Sequence, residues 1–270
     1  MDASIAGSQL SGISGPTSES VTATDSIVVC DRSRVRIVLT NIRSIVNKRD
    51  ELENLVESLS PSVVALTETW LTRDVEDSEV TLRGYKLFRN DRSIRGGGGV
   101  MLLVRDEYEA YLWQATSDPD GFYESLWCKV RLSHNGFDTI GVIYRSPGSQ
   151  PSQMLSDIRT FSKGNHCLIL GDFNAPSIDW SRNVCSINEP FTSELLSTTI
   201  DLYLYQHVSE PTRVTPSASN ILDLVLSKNE TDVHDVQILP PVGSSDNAVV
   251  SFTWKRGTHA TPLSCKTKNV

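Results

Sequence analysis

Three short apolar runs in this chain end alike. "RIVLT" stops at Asn41, "VVALT" at Glu68 and "CLILG" at Asp172, two residues before Asn174. Each has the length and β-branched content of a buried strand. Open α/β sheets bind ligands outside the carboxyl ends of their strands. A polar residue at one strand end is ordinary, because strands emerge into solvent there. Four of matching chemistry point to a shared site, and the fold must then bring distant strand ends to one rim.

The rest of the pattern is read around those strands. "RVRIVLTN" alternates Val35, Ile37 and Leu39 on one face, and "KRDELENLVESLSP" puts Leu52, Leu55, Val56 and Leu59 at helical spacing ahead of Pro61. "GVMLLVR" is a strand after four glycines. "YESLWCKVRL" and "FDTIGVIYRSP" pair around "SHNG". A weaker helix covers Ser152 to Phe161 and another begins near Glu189; "NILDLVLS", "VHDVQIL" and "NAVVSFTW" are late strands. Strands dominate with helices between them, which predicts a sheet-on-sheet core flanked by helices. Residues 1–30, rich in Ser, Thr, Gly and Ala, read as a disordered leader; 31–255 form the folded domain, and 256–270 a polar, linker-like tail.

Composition excludes some classes. A net charge of −8 argues against a general nucleic-acid coat protein, though not against an enzyme that grips a polyanion locally. No apolar run is long enough to span a bilayer, and no basic-then-apolar block precedes Arg32. The expectation is an intracellular protein, nuclear or cytoplasmic, with no membrane partner. Cys30, Cys128, Cys167, Cys185 and Cys265 are dispersed with no C-x-x-C pair, as expected of free thiols.

The ordered set Asn41, Glu68 in "LTETWL", Tyr144 in "GVIYRSP", "GDFN" at 171–174, "NILDLVLS" at 220–227 and "SSDN" at 244–247 resembles the endonuclease/exonuclease/phosphatase superfamily. "TETWL", "RGGGGVMLLV", "YRSPGS" and "EPTR" ahead of "LDLVLS" look most like the endonuclease domain of non-LTR retrotransposons. The resemblance runs from about Arg34 to Trp254. It implies a deoxyribonuclease-like four-layer α/β/β/α sandwich, two packed mixed sheets flanked by helices, and a divalent-metal-dependent cut of a phosphodiester. Mg²⁺ is the implied cofactor, with Mn²⁺ as the alternative, and DNA the implied partner. A reverse transcriptase normally shares the polypeptide, and 270 residues leave no room for one.

By resemblance, Glu68 is the main metal ligand, with Asn41 beside it and Asp246 completing the metal side; oxygen donors suit a hard cation. Asp172 accepts the proton of the attacking water, Asn174 hydrogen-bonds the phosphate, and Tyr144 contacts the phosphate or the leaving group. The resemblance also implies a histidine directly after the last aspartate, oriented by Asp223. Here that position is Asn247. Asparagine keeps a donor and an acceptor but cannot become cationic or carry a proton. Positioned proton transfer contributes roughly 10²- to 10⁴-fold, so a loss of that order is expected. None of His134, His166, His207, His234 and His259 has a spacing that points at Asn247.

Arg89, Arg92 and Arg95 in "FRNDRSIR", together with Arg145 and Arg213, are candidate contacts to a DNA backbone. The glycine run 96–99 lacks the Lys-Ser/Thr and helix of a phosphate-binding P-loop and reads as a turn into a strand. The alternatives are a catalytically inactive DNA- or protein-binding remnant, which Asn247 favours, and a phosphatase of the same superfamily.

Overall fold

The computed structural model describes residues 35–133, 136–186 and 189–255. The expected leader and the whole of the expected tail, with Cys30, His134, His259 and Cys265, lie outside them. The strands are β1 (Val35–Asn41), β2 (Val63–Thr67), β3 (Tyr85–Asn90), β4 (Val100–Arg105), β5 (Ala110–Ser117) and β6 (Tyr123–Ser133). They continue as β7 (Gly136–Arg145), β8 (Cys167–Asp172), β9 (Ile178–Asp179), β10 (Val184–Cys185) and β11 (Tyr205–Gln206). The last are β12 (Arg213–Thr215), β13 (Ala218–Asn220), β14 (Asp223–Ser227), β15 (Val233–Leu239) and β16 (Val249–Trp254). The helices are α1 (Arg49–Leu59), α2 (Asp77–Val80), α3 (Ser152–Phe161) and α4 (Pro190–Asp201).

Two six-stranded mixed sheets carry the fold. The first has the order β15-β16-β1-β2-β4-β3 and the second β11-β14-β8-β7-β6-β5; β9-β10 and β12-β13 are separate two-stranded ribbons. In each sheet one central pair is parallel, β1 with β2 and β7 with β8, and the remaining pairs are antiparallel. Period-2 alternation decides which face each side chain takes. Ile37, Leu39, Ala65 and Leu102 of the first sheet meet Leu126, Val142, Leu170 and Val225 of the second in an inter-sheet core.

The alternate residues point outward, to helices. Val38, Val64, Leu66 and Met101 pack on Leu52 and Val56 of α1, while Trp127, Ile143, Ile169 and Leu226 pack on Met154, Ile158, Phe191 and Leu195 of α3 and α4. Three apolar clusters thus separate four layers, as the sandwich expectation required. Among the described residues no helix is long and apolar enough to cross a membrane.

The glycine run 96–99 does more than turn. Gly97, Gly98 and Gly99 all have positive φ, and the carbonyls of Gly98 and Gly99 accept from the backbone N–H groups of Trp70 and Thr69. A Cβ on Gly98 would lie 2.3 Å from the Arg92 guanidinium carbon. The glycines therefore make room for a buried ion pair rather than for a phosphate.

Candidate active site

The parallel pair β1-β2 sets Asn41 beside Thr67, so Glu68 emerges from β2 at the same rim. Glu68 adopts φ 51, and its backbone carbonyl accepts from Ser44 N. In the second sheet the register aligns Tyr144 of β7 with Asp172 of β8, and Asp172 with Asp223 of β14. Register partners share a face, so Tyr144, Asp172 and Asp223 form one row at one end of that sheet. A hydrogen bond joins the sheets: Asn41 Nδ2 donates to Asp172 Oδ2 at 2.8 Å and also to Glu68 Oε1 at 2.9 Å.

The remaining expected residues settle around this joint. Asn174, at φ 46, donates its backbone N–H to Asp172 Oδ1 at 3.0 Å and its side-chain Nδ2 to the Arg145 carbonyl at 2.8 Å. Asn247 is buried and donates Nδ2 to Asp223 Oδ2 at 3.0 Å. It occupies the place next to Asp223 that the resemblance assigns to an imidazole. None of the three described histidines reaches it. His207 bonds Ser227 at the far end of β14, the His166 carbonyl accepts from Thr139 at the far end of β7, and His234 pairs with Thr253 at the far end of β16.

Burial sets the electrostatics. Desolvation, and then the neighbouring Asp223, hold the Asp172 carboxyl well above the usual carboxylate range. Asp223 is raised to about 6, chiefly by burial; its hydrogen bonds from Thr212 and Asn247 oppose the rise. The Tyr144 phenol is pushed up by burial and by the carboxylates of Glu68 and Asp172, so it stays protonated.

Oxygen chemistry fits a hard cation at Asn41 and Glu68. Asn41 Oδ1 is buried without a hydrogen-bond partner, and the Asn41 amide N–H donors lie between two carboxylates. Among the described residues no group of three or more His, Cys, Asp or Glu side chains forms a closed cage for a metal. Mg²⁺ asks for less: one or two carboxylates, with water completing its shell.

Asp246, expected on the metal side, has Oδ1 and Oδ2 each 2.7 Å from a guanidinium nitrogen, of Arg43 and Arg213 respectively, and its Oδ1 is buried without a hydrogen-bond partner. One expectation needs correction. Arg92 and Arg145 are not open to an external phosphate. Arg92 makes a fork to buried Glu124, with bonds of 2.6 and 2.9 Å. Arg145 has a fully buried side chain that donates to the carbonyls of Ser149, Phe173 and Asn174 and stacks 3.8 Å from the Phe191 ring centroid. Arg89 faces Asp77, Asp91 and the Val75 carbonyl. Arg95 is exposed over Phe122, on a cavity of about 900 Å³ that Arg73, Arg89 and Arg92 also line.

Sequence reasoning missed Arg43, Trp70 and Ser245 as parts of the site. Trp70 Nε1 donates to Glu68 Oε2 at 3.0 Å, and Ser245 Oγ donates to the Asn41 carbonyl at 2.8 Å. The signal for the first two was their place, each two residues past a polar strand-end residue, Asn41 or Glu68. Thr212 Oγ1 accepts from the N–H groups of Leu222 and Asp223 and so fixes the start of β14.

Residues 39–246 match the Endonuclease/Exonuclease/phosphatase family. No curated protein matches the chain. Among solved structures, the endonuclease domain of TRAS1, a telomere-specific non-LTR retrotransposon, is 15% identical with a TM-score of 0.65, over 82% of this chain and 98% of that one. The AP endonuclease LMAP from Leishmania major is 14% identical with a TM-score of 0.63, over 83% and 89%. The 3′ phosphatase NExo from Neisseria, bound to a product DNA hairpin, is 15% identical with a TM-score of 0.60, over 82% and 100%. At such identities the likeness is one of fold.

Proposed function

This chain belongs to the Endonuclease/Exonuclease/phosphatase family, and from that premise we propose that it is a Mg²⁺-dependent DNA-nicking endonuclease domain of the non-LTR retrotransposon kind, weakened by Asn247. The observation that carries the reading is the junction of the two sheets, where the Asn41 amide links Glu68 to Asp172. Tyr144, Asn174, Asp223 and Asn247 lie around that junction, which supports the reading.

The chain's own groups divide the work. Each Asp172 oxygen accepts one hydrogen bond, from Asn41 Nδ2 or from Asn174 N–H, which leaves lone pairs for an attacking water. Those two bonds fix the carboxylate, so the water meets a base already oriented. Tyr144, held as a phenol beside Glu68 and Asp172, has an O–H to give a phosphoryl or leaving-group oxygen. Glu68 and Asn41 are the residues that would hold Mg²⁺, which supplies charge stabilisation at the phosphoryl oxygens when bound. Asn247 keeps the bond to Asp223 and can still touch a phosphate oxygen, but it has no proton to transfer. DNA is the substrate of this reading, and a reverse transcriptase the activity to which such a nick would be coupled.

The experiment is plasmid nicking with Mg²⁺ and with EDTA, on the wild type and on Asn247→His. The expected outcome is slow, EDTA-sensitive nicking that the reversion accelerates by about 10²-fold or more. Full wild-type nicking with no gain from Asn247→His would remove the impairment. DNA binding without Mg²⁺-dependent cleavage by either protein would establish the inactive remnant instead, the reading that Asn247 itself favours. Hydrolysis of phosphoinositides in preference to plasmid would place the chain among the phosphatases.

A further inference from the structure

Asp246 holds two guanidiniums at once, Arg43 Nη1 on one oxygen and Arg213 Nη2 on the other, both at 2.7 Å. With Glu68 Oε2 3.8 Å from Arg43 Nε, two carboxylates face the two arginines, so the cluster does not carry an excess of either charge. Nor does it use all their donors, since each guanidinium has five N–H groups. Arg213 Nε is buried and makes no hydrogen bond, while Arg43 Nε stands 3.8 Å from Glu68 Oε2, too far for one. Those two nitrogens are buried, but the Arg43 and Arg213 side chains as a whole remain 37% and 33% exposed, so a ligand can reach the side chains elsewhere.

Both arms are fixed. Arg43, at φ 46, sits in the loop after β1, where the Lys48 amine is buried against the carbonyls of Ile42 and Arg43. Arg213 opens β12 and forms a backbone bridge to Asn247, and the next residue, Ala248, donates its N–H to the Thr212 carbonyl at 2.7 Å. The arginines therefore stand between Glu68 and Asn247, on the side where a neutral amide replaces a residue able to carry positive charge. Planar guanidiniums match phosphate oxygens two at a time.

We propose that Arg43 and Arg213, positioned by Asp246, form a clamp that grips a phosphodiester group of a nucleic acid at the edge of the carboxylate pocket. The proposal rests on the nuclease reading above and gives Asp246 a role in positioning cations rather than in holding the metal. Preorganised cations aimed at a phosphate lose little to reorganisation. The clamp thus offsets part of the charge stabilisation that Asn247 cannot give.

The test is fluorescence anisotropy of a labelled DNA duplex in EDTA, across a salt series, so that binding is read without cleavage. The proteins are the wild type, Arg43→Ala/Arg213→Ala, Arg213→Gln, and Arg131→Ala as a control at the far end of β6. The double variant is expected to bind about tenfold more weakly, with its salt slope reduced by about 1. Arg213→Gln keeps a donor without the charge, and should lose several-fold even if the double variant does not fold. Arg131→Ala should follow the wild type. Wild-type affinity and slope in either clamp variant would overturn the clamp and leave the nuclease reading standing. A wild-type protein that binds no DNA at any salt would overturn both.

Discussion

Glu68 takes its orientation from neighbours of different chemistry: the Asn41 amide on Oε1, the Trp70 indole on Oε2, and the Arg43 guanidinium farther out. Trp70 is the least expected of them. It adopts φ 55, is 45% exposed, and is held by its backbone N–H on the Gly98 carbonyl. A tryptophan that exposed beside a site carboxylate can serve as a restraint and as a stacking surface at once. Substitutions separate the two. Trp70→Phe keeps a ring but removes the N–H that steadies Glu68, so kcat for nicking should fall, by about tenfold, with KM little changed. Trp70→Ala removes the ring as well; base stacking on an aromatic is worth about 1–3 kcal/mol, so KM should rise by about tenfold too. Equal KM values for the two variants would leave the indole as a restraint alone.

Whole elements deliver these side chains only because their strands keep register to the last residue. Gly171 shows how narrow the tolerance is. It pairs with Ile143 directly before Asp172, has φ 152, and a Cβ there would meet the Ile143 carbonyl oxygen at 1.8 Å. Gly171→Ala must therefore push β7 and β8 apart where Tyr144 and Asp172 align. The expected loss is on the order of 3 kcal/mol or more, as for overpacking and strain at a special backbone position, read as the shift of a urea midpoint. Activity should be lost even where the fold survives. The strands that deliver the site were legible in the sequence because they are buried and apolar, "RIVLT", "VVALT" and "CLILG" among them. The edge strands β3 and β5 were not: Tyr111, Leu112 and Trp113 of β5 are each more than 40% exposed, so no alternation marks them. The ribbons β9-β10 and β12-β13 are too short for a period. The polar residues at the strand ends were legible for the same reason as their strands. The fates of Arg92 and Asp246 were not, since each depends on a partner brought in from far along the chain, Glu124 for one and Arg43 with Arg213 for the other.

At the scale of the whole molecule, the site is a place where the fold buries charge that it does not fully satisfy. Asp172 and Asp223 lie side by side at the mouth between the sheets, both buried, and Asp223 Oδ1 has no hydrogen-bond partner. An apolar core without them would be more stable, and the arrangement is kept for what it can bind. The pH dependence follows from the direction of the shift. Burial raises the folded-state value of Asp223 to about 6, against an unfolded value near 3.9. Between those limits the folded chain holds more protons than the unfolded chain, so stability falls as pH rises through that window and stays lower above it. Asp223→Asn removes the charge while keeping an oxygen to accept from Asn247. It should raise stability at pH 7 to 8 by an amount on the order of 1–3 kcal/mol, seen as a higher thermal midpoint. The gain should shrink as pH falls from 6 and be nearly gone at pH 4, vanishing only below the unfolded value, where the wild-type carboxyl is protonated in both states. Thermal melts of the two proteins at pH 4, 5, 6 and 7.5 measure it. A variant no more stable than the wild type at pH 7.5, or a gain that grows in acid, would mean that Asp223 is satisfied in the folded state and that its burial costs the molecule nothing.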